Sequence, residues 1–517
     1  MTSNSDEKQP VDTQQNRIEA ELAEPTPTHT DTTNAQVTEQ PTKIVRRFVS
    51  RHRSPLSVLL LSAIVGLFAG LLCTAFDMVI DWVVNERSHW VQTDGGVDVL
   101  TIAAVVITSA LLSAFGFFLV NRIAPEAAGS GIPEIEGALD NLRPVRWWRV
   151  IPVKFFGGVG AIGAGLVLGR EGPSVQMGAS VGRMLTDIFR IKDDEGRHTL
   201  LASGAAAGLA AAFNAPLAGI MFVVEEMRPQ FKYNLISIKA VMIAAITATV
   251  VYRSLQGQGA MIPLPAHSDV PLTALALFLV LGLIFGFIGV MFNRMVVITM
   301  DSFERFHQHD TKRFVAVGAG LGAMFGLMLF LLPTLTGEGV ELIPDSVHGD
   351  FALSMLALLF IARLITTLVC FGSGAPGGVF APMLALGTLF GTGFGLFCMH
   401  LFPHMDITAG MFAVAGMGAL FAATVRAPIT GILLVMELTH NYELILPLLI
   451  TTLGATMTAQ VMGGKPLYSQ LLQRTLAKQK AIQSDAENDV ESEEKTERSG
   501  DDTQPSHTQP TGAKTKS

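Results

Sequence analysis

Charged residues are scarce in this 517-residue chain: Asp, Glu, Lys and Arg supply 15% of it, against roughly 25% in ordinary soluble domains. With 49% hydrophobic residues and a mean hydropathy of +0.43, that shortage excludes a soluble enzyme, and nothing points to nucleic acid or nucleotide as a partner. Cysteine is nearly absent. Cys73, Cys370 and Cys398 stand in apolar surroundings with no paired spacing, which speaks against disulfides and against a thiolate metal site. Motifs of the H-E-x-x-H kind are missing, and most of the twelve histidines fall in the tails or at span ends. Neither metal nor cofactor is therefore expected. Tyrosine is rare too, with four in the chain, so Tyr468 in Gly463-Gly464-Lys465-Pro466-Leu467-Tyr468 stands out. By residue type and place it reads as an interfacial anchor more readily than as a ligand.

What the chain has in quantity is long apolar runs. Pro55 to Val84, Val99 to Val120, Leu272 to Met300, Phe314 to Leu332, Phe351 to Val369 and Leu444 to Val461 are each long enough to cross roughly 30 Å of hydrocarbon. About a dozen such runs are expected, several interrupted by Gly or Pro. The first lies too far from Met1, and is too long, for a cleaved signal peptide. Arg46, Arg47, Arg51 and Arg53 precede it, and Lys465, Arg474, Lys478 and Lys480 follow the last. Both clusters argue for cytoplasmic termini. Residues 1–45 carry eight acidic and three basic side chains, and residues 483–517 carry nine and four, so each end holds −5 of the total −8 and the rest is +2. These polar, aromatic-poor ends are expected to be disordered tails. Between them the reading gives a first membrane half at 46–255, a linker at 256–269, a second half at 270–462 and a cytoplasmic helix at 463–482.

The two halves repeat. Gly204 to Glu225 matches Gly416 to Glu437 at an offset of 212, with ten of 22 positions identical, including Ala215-Pro216 with Ala427-Pro428 and Glu225 with Glu437. Upstream, Gly169, Pro173, Gly178 and Gly182 match Gly378, Pro382, Gly387 and Gly391 at an offset of 209. A third pair, Gly129-Ser130-Gly131-Ile132-Pro133 and Gly372-Ser373-Gly374-Ala375-Pro376, opens each set. Repeats with broken helices at matching positions mark transporters whose substrate sits near the bilayer midplane; identities alone leave open whether the repeats are inverted. Residues that the repeat does not share are the better functional candidates. Glu171 faces Phe380 in the alignment and Glu226 faces Leu438, whereas Glu225 is kept as Glu437.

Glu171 lies in Gly169-Arg170-Glu171-Gly172-Pro173, just before a helix read over Ser174 to Phe189. Free amides of residues 170–172 and the positive helix end converge there, on a point that wants an anion. An ionisable side chain inside a membrane domain marks a pathway. Burial favours its neutral form while helix-end amides favour the ionised one, so it is placed to exchange protons. The competing reading is a structural ion pair with Arg170. Glu226 ends a helix read over Leu217 to Met227, near Arg228, Lys232 and Lys239, which suggests a cytoplasmic rim; there it either accepts protons or makes a surface salt bridge to Arg228. Glu225 and Glu437, being repeated, read as caps or as partners of neighbouring loops. Ser130 offers a hydroxyl beside exposed amides, and its reading as a nucleophile lacks a base. Gly378-Val379-Phe380-Ala381-Pro382 has the layout of the glutamate loop but only backbone donors and an apolar wall.

The motifs GSGIP, GREGP and GVFAP in this order, with Gly204 to Glu226 and the late Tyr468, resemble the CLC family of chloride channels and proton-coupled chloride transporters over roughly residues 50–480. Trp147-Trp148, Asn214-Ala215-Pro216 and Glu225-Glu226-Met227-Arg228-Pro229 are similar to the bacterial exchangers. The resemblance implies an all-α polytopic fold of two inverted repeats of short, tilted and broken helices, and a homodimer in the inner membrane with one pore per subunit. It also implies roles. Ser130 and Tyr468 would give hydroxyls, and Val379 and Phe380 amides, to a central chloride. Glu171 would be the external gate and proton carrier, and Glu226 the internal proton acceptor. Exchange of chloride for protons is expected, with a passive channel of the same fold as the alternative and an intramembrane serine hydrolase as a remote one. The polar extension before residue 45 is longer than the bacterial pattern, and the C-terminal tail is too short for paired nucleotide-binding CBS domains.

Overall fold

A computed structural model of the chain describes residues 53–91, 98–227, 234–264, 270–308, 310–348, 351–481 and 483–484. The expected tail at 1–45, residues 265–269 of the expected linker, and residues 485–517 lie outside the described residues. Residues 1–54 separate from a compact unit, residues 55–517; of the former, only the opening turn of the first helix is described. All that follows concerns the compact unit.

That unit is helical, and among the described residues no strand forms. In chain order the helices of the first half are α1 Arg53–Val91, α2 Val99–Arg122, α3 Ile132–Leu139, α4 Trp147–Gly163, α5 Glu171–Ile188, α6 Asp194–Phe213, α7 Pro216–Glu225 and α8 Leu235–Gln256. The second half holds α9 Leu275–His307, α10 Thr311–Leu331, α11 Leu342–His348, α12 Leu353–Gly372, α13 Phe380–Leu401, α14 Ala409–Val425, α15 Pro428–Thr439 and α16 Ile445–Val461. A last helix, α17, covers 467–481.

Seven of these are long and apolar enough to cross a bilayer: α1, α2, α8, α9, α10, α12 and α13. The protein is a multi-pass integral membrane protein. The count corrects the expected dozen spans, because several apolar runs are short helices: Pro216–Glu225, Ala409–Val425, Pro428–Thr439 and Ile445–Val461. The run read as a span at Leu444 to Val461 is one of them. Hydropathy reports composition and not length, so a helix of 10–17 residues is as apolar as a longer one.

The breaks have local causes. Asn214 ends α6 in the left-handed region, φ 53°, and Pro216 starts α7 two residues on; Arg426, φ 72°, and Pro428 repeat the device between α14 and α15. A proline at the first helical position has no donor to lose. The crossings are equally specific. A Cβ on Gly178 would meet the Gly204 carbonyl oxygen at 2.3 Å, and one on Gly204 the Gly178 oxygen at 2.1 Å. In the second repeat Gly387 and Gly416 make the matching approach, each 2.4 Å from the other's oxygen. Small residues let helix backbones pack where no hydrophobic force separates protein from lipid.

Glu225 and Glu437 tie the halves together. Glu225 accepts from the amides of Ile429 and Thr430, at 3.1 and 2.8 Å, and Glu437 accepts from those of Leu217 and Ala218, also at 3.1 and 2.8 Å. Each repeat thus caps the opening turn of the other's short helix, which satisfies donors that no helix can satisfy itself.

Candidate functional site

The GREGP and GVFAP loops meet, and all of their residues but Arg170 are buried. Gly169 donates to the Gly378 oxygen at 2.8 Å and Gly378 to the Gly169 oxygen at 2.7 Å, an isolated antiparallel bridge between positions that the repeat equates. Helices α5 and α13 leave this bridge with matching starts. Their first intrahelical donors are Ser174, to Arg170, and Met383, to Val379. Pro173 and Pro382 have no amide, so the N–H groups of Glu171 and Gly172, and of Phe380 and Ala381, find no acceptor within their own helices. The helix read over Ser174 to Phe189 in fact begins at Glu171 and ends at Ile188.

Glu171 is buried, 2% exposed, and its Oε2 has no hydrogen-bond partner. The side chain folds back over Gly169, where a Cβ would lie 2.2 Å from that oxygen. The ion pair with Arg170 does not form. Instead, Arg170 Nε donates to Glu338 Oε1 and Nη2 to Asp81 Oδ1, both at 2.9 Å, while Nη1 lies 3.9 Å from Asp77 Oδ1. Successive side chains at a helix start point in different directions, so sequence adjacency does not make a pair.

Ser130 and Tyr468 close the other side. Gly129 and Gly131 have φ of 59° and 83°, the left-handed region that glycine enters without steric cost, and this turn lays Ser130 against Gly172: a Cβ there would lie 2.6 Å from Ser130 Oγ. Tyr468 in α17 is wholly buried, which overturns its reading as an interfacial anchor. Its ring stacks on Phe380 with centroids 6.0 Å apart, and its hydroxyl points toward Ser130 with the Glu226 and Glu171 carboxyls also in electrostatic reach. Neither hydroxyl is hydrogen-bonded. The repeat supplies a control, since the matching Ser373 donates to the Cys370 oxygen at 2.7 Å. Leaving a buried polar group unpartnered costs about 1–3 kcal/mol, so two orphan hydroxyls beside free helix-start amides describe a pocket for an acceptor. Val379 and Phe380 are both fully buried, and the Phe380 ring is further enclosed by Phe213, Phe222 and Phe421. Ile132, Pro133, Ala381 and Pro382 are buried in the helix starts around them.

Glu226 corrects two expectations. Its helix is Pro216–Glu225, and the residue is 8% exposed rather than at a surface rim. Arg228, the partner of the alternative surface salt bridge, and nearby Lys232 lie outside the described residues. It faces Glu136 of α3, also buried, and among the described residues neither carboxyl has a cation partner. Sequence reading missed Glu136, although a carboxyl in the apolar helix behind GSGIP was there to be seen. It also missed Asp77, Asp81 and Glu338. Glu338 meets Arg170 across 168 residues of chain, and no local pattern announces such a contact.

Comparison with known proteins supplies the relationship. A family model described as voltage gated chloride channel matches residues 112–460. A Vibrio parahaemolyticus protein named H(+)/Cl(-) exchange transporter ClcA is 61% identical over 446 residues, covering 86% of this chain and 95% of that protein. A Yersinia pestis protein of the same name is 59% identical over 437 residues, covering 84% and 91%. Among solved structures, a slow cyanobacterial Cl-/H+ antiporter superposes with a TM-score of 0.78 at 40% identity, covering 82% of this chain and 99% of that one. A eukaryotic CLC transporter gives 0.69 at 25% identity, covering 81% and 74%. Matched across most of its membrane unit, this chain belongs to the voltage-gated chloride channel family, the CLC proteins.

Proposed function

We propose that the protein is a secondary active antiporter, a transporter and not an enzyme, which moves chloride in exchange for protons. The observation that carries this reading is the arrangement of two buried carboxyls, Glu171 and Glu226, neither in an ion pair among the described residues and both in electrostatic reach of the buried Tyr468 hydroxyl. An anion accepting from Ser130, Tyr468 and the amides of Val379 and Phe380 would be held by partial charges only, weakly enough to leave again. Ionised Glu171 competes for the amides at the start of α5; protonated, it gives them up. Anion passage and proton uptake are thereby alternatives at one place, which is what coupling requires. Glu226 accepts the proton from the inner side.

The relatives named as exchangers support the same activity. We further infer a homodimer in the lipid of a bacterial inner membrane with both termini cytoplasmic, in keeping with the basic flanks and the Vibrio and Yersinia relatives. A passive channel of this fold has no use for Glu226. A serine hydrolase has no support from Ser130, whose Oγ is hydrogen-bonded to no base among the described residues.

The test is flux in vesicles holding the purified protein. An imposed chloride gradient should drive protons against their own gradient. Chloride movement with no proton movement would replace the exchanger with a channel.

A further inference from the structure

Arg170 is the residue beside the gate, and each of its nitrogens is directed away from it. Glu338 comes from the turn Gly337-Glu338-Gly339, whose glycines have φ of 67° and 88°. Asp77 and Asp81 come from α1. The guanidinium is 14% exposed, Glu338 12%, Asp77 2% and Asp81 46%. Three carboxylates from two distant segments therefore surround one cation that a simple ion pair with Glu171 would satisfy. A cavity of about 770 Å³, lined by Asp81, Arg170, Glu338 and Glu341 among others, opens onto this cluster.

We propose that Glu338 and Asp81 are positioning residues for the exchange reaction: they clamp the Arg170 guanidinium away from Glu171, leaving the gate carboxyl free to take up and release a proton. The inference rests on reading Glu171 as the gate. The groups that face Glu171 and the clamp are Asp77 and Asp81 of α1, Glu338 and Glu341 of the loop before α11, Tyr252 of α8, Tyr468 of α17 and Arg170 itself. Arg363, which donates to the Gly337 oxygen at 2.7 Å, and Arg87, which donates to the Gly163 oxygen at 2.5 Å, line the same cavity but are held by backbone carbonyls, so Arg170 is the cation that the clamp carboxylates hold. With Glu338 neutral the guanidinium keeps only Asp81 and Asp77, and with Asp81 neutral as well only Asp77, so at each step more of its positive charge is left for ionised Glu171. A cation within about 4–6 Å favours an ionised carboxylate by roughly one to three pH units, and ionised Glu171 closes the path.

The test measures chloride efflux from vesicles against pH in the full-length protein. For Glu338→Gln, and more for Glu338→Gln with Asp81→Asn, the pH of half-maximal efflux should fall by about one unit or more. Glu338→Asp should restore it. Adding Arg170→Gln to Glu338→Gln should return the midpoint toward wild type, and adding Glu171→Gln should abolish the pH dependence altogether. An unchanged midpoint in Glu338→Gln overturns the proposal, and so does an equal shift with or without Arg170. If Glu338→Gln does not fold, Asp81→Asn at the more exposed member carries the same comparison. Proton coupling is read separately in wild type, so failure of exchange and failure of the clamp give different results.

Discussion

A buried carboxyl in no ion pair among the described residues is the recurring element of this site at the scale of single residues. Glu171 and Glu226 differ in what surrounds them, and their neutral substitutions should differ accordingly. Glu171→Gln imitates a permanently protonated gate; chloride flux should persist while chloride-driven proton movement disappears. Glu226→Gln should stop proton transport and spare chloride flux. Simultaneous pH-electrode and chloride-electrode recordings check both, and proton pumping retained in both variants would overturn the assignment. The hydroxyls carry a separate expectation. A hydrogen bond to a charged group contributes about 1.5–3 kcal/mol, so Ser130→Ala or Tyr468→Phe should weaken chloride binding by roughly 10-fold or more, read by titration calorimetry. Ser373→Ala, at the matching serine already satisfied within its own segment, should leave binding unchanged.

Helices meet here at glycine and are capped across the repeat. Gly204→Ala drives a methyl group onto the Gly178 carbonyl, and Gly416→Ala repeats the clash at Gly387. Overpacking of this kind costs about 1–3 kcal/mol, so both variants should melt lower in detergent. Gly320→Ala is the contrast: it lies on α10 with open space around it, and replacing a helical glycine with alanine should raise stability slightly. Glu225→Gln and Glu437→Gln weaken caps, an effect of about 1 kcal/mol each, and should lower the melting temperature without changing the ratio of chloride to protons. A changed ratio would mean that these shared glutamates do more than hold the halves together.

At the scale of the whole molecule, the two halves are joined where they are most alike, and the residues we propose to carry exchange lie where they differ. Gly169 and Gly378 bridge, and Glu225 and Glu437 exchange caps; Glu171 and Glu226 face Phe380 and Leu438 in the alignment and have no counterpart. Large exposed apolar side chains such as Ile246 and Val250 on α8, and Leu453, Met457 and Val461 on α16, need lipid or a second copy to cover them. The proposed homodimer should appear in mild detergent, by light scattering with the detergent contribution subtracted, as twice the 55.3 kDa chain mass.

The membrane class, the repeat, the helix breaks and the motifs around Glu171, Ser130 and Phe380 were all legible in the linear chain, because each is local: a composition, an offset, or a Gly or Pro at a fixed place. The capping role expected of Glu225 and Glu437 was legible from their repetition, though not that the caps are swapped between halves. What the tertiary structure alone decided was every relation between distant charges. Arg170 could have paired with its neighbour Glu171 and pairs instead with Glu338 and Asp81; Tyr468 could have anchored at an interface and is buried against Phe380; Glu226 could have sat at the rim and faces Glu136. The physical reason is common to all three. A polar side chain in a membrane protein goes wherever the fold can satisfy it or needs it, and that place is fixed by packing across the whole chain and not by its neighbours in sequence.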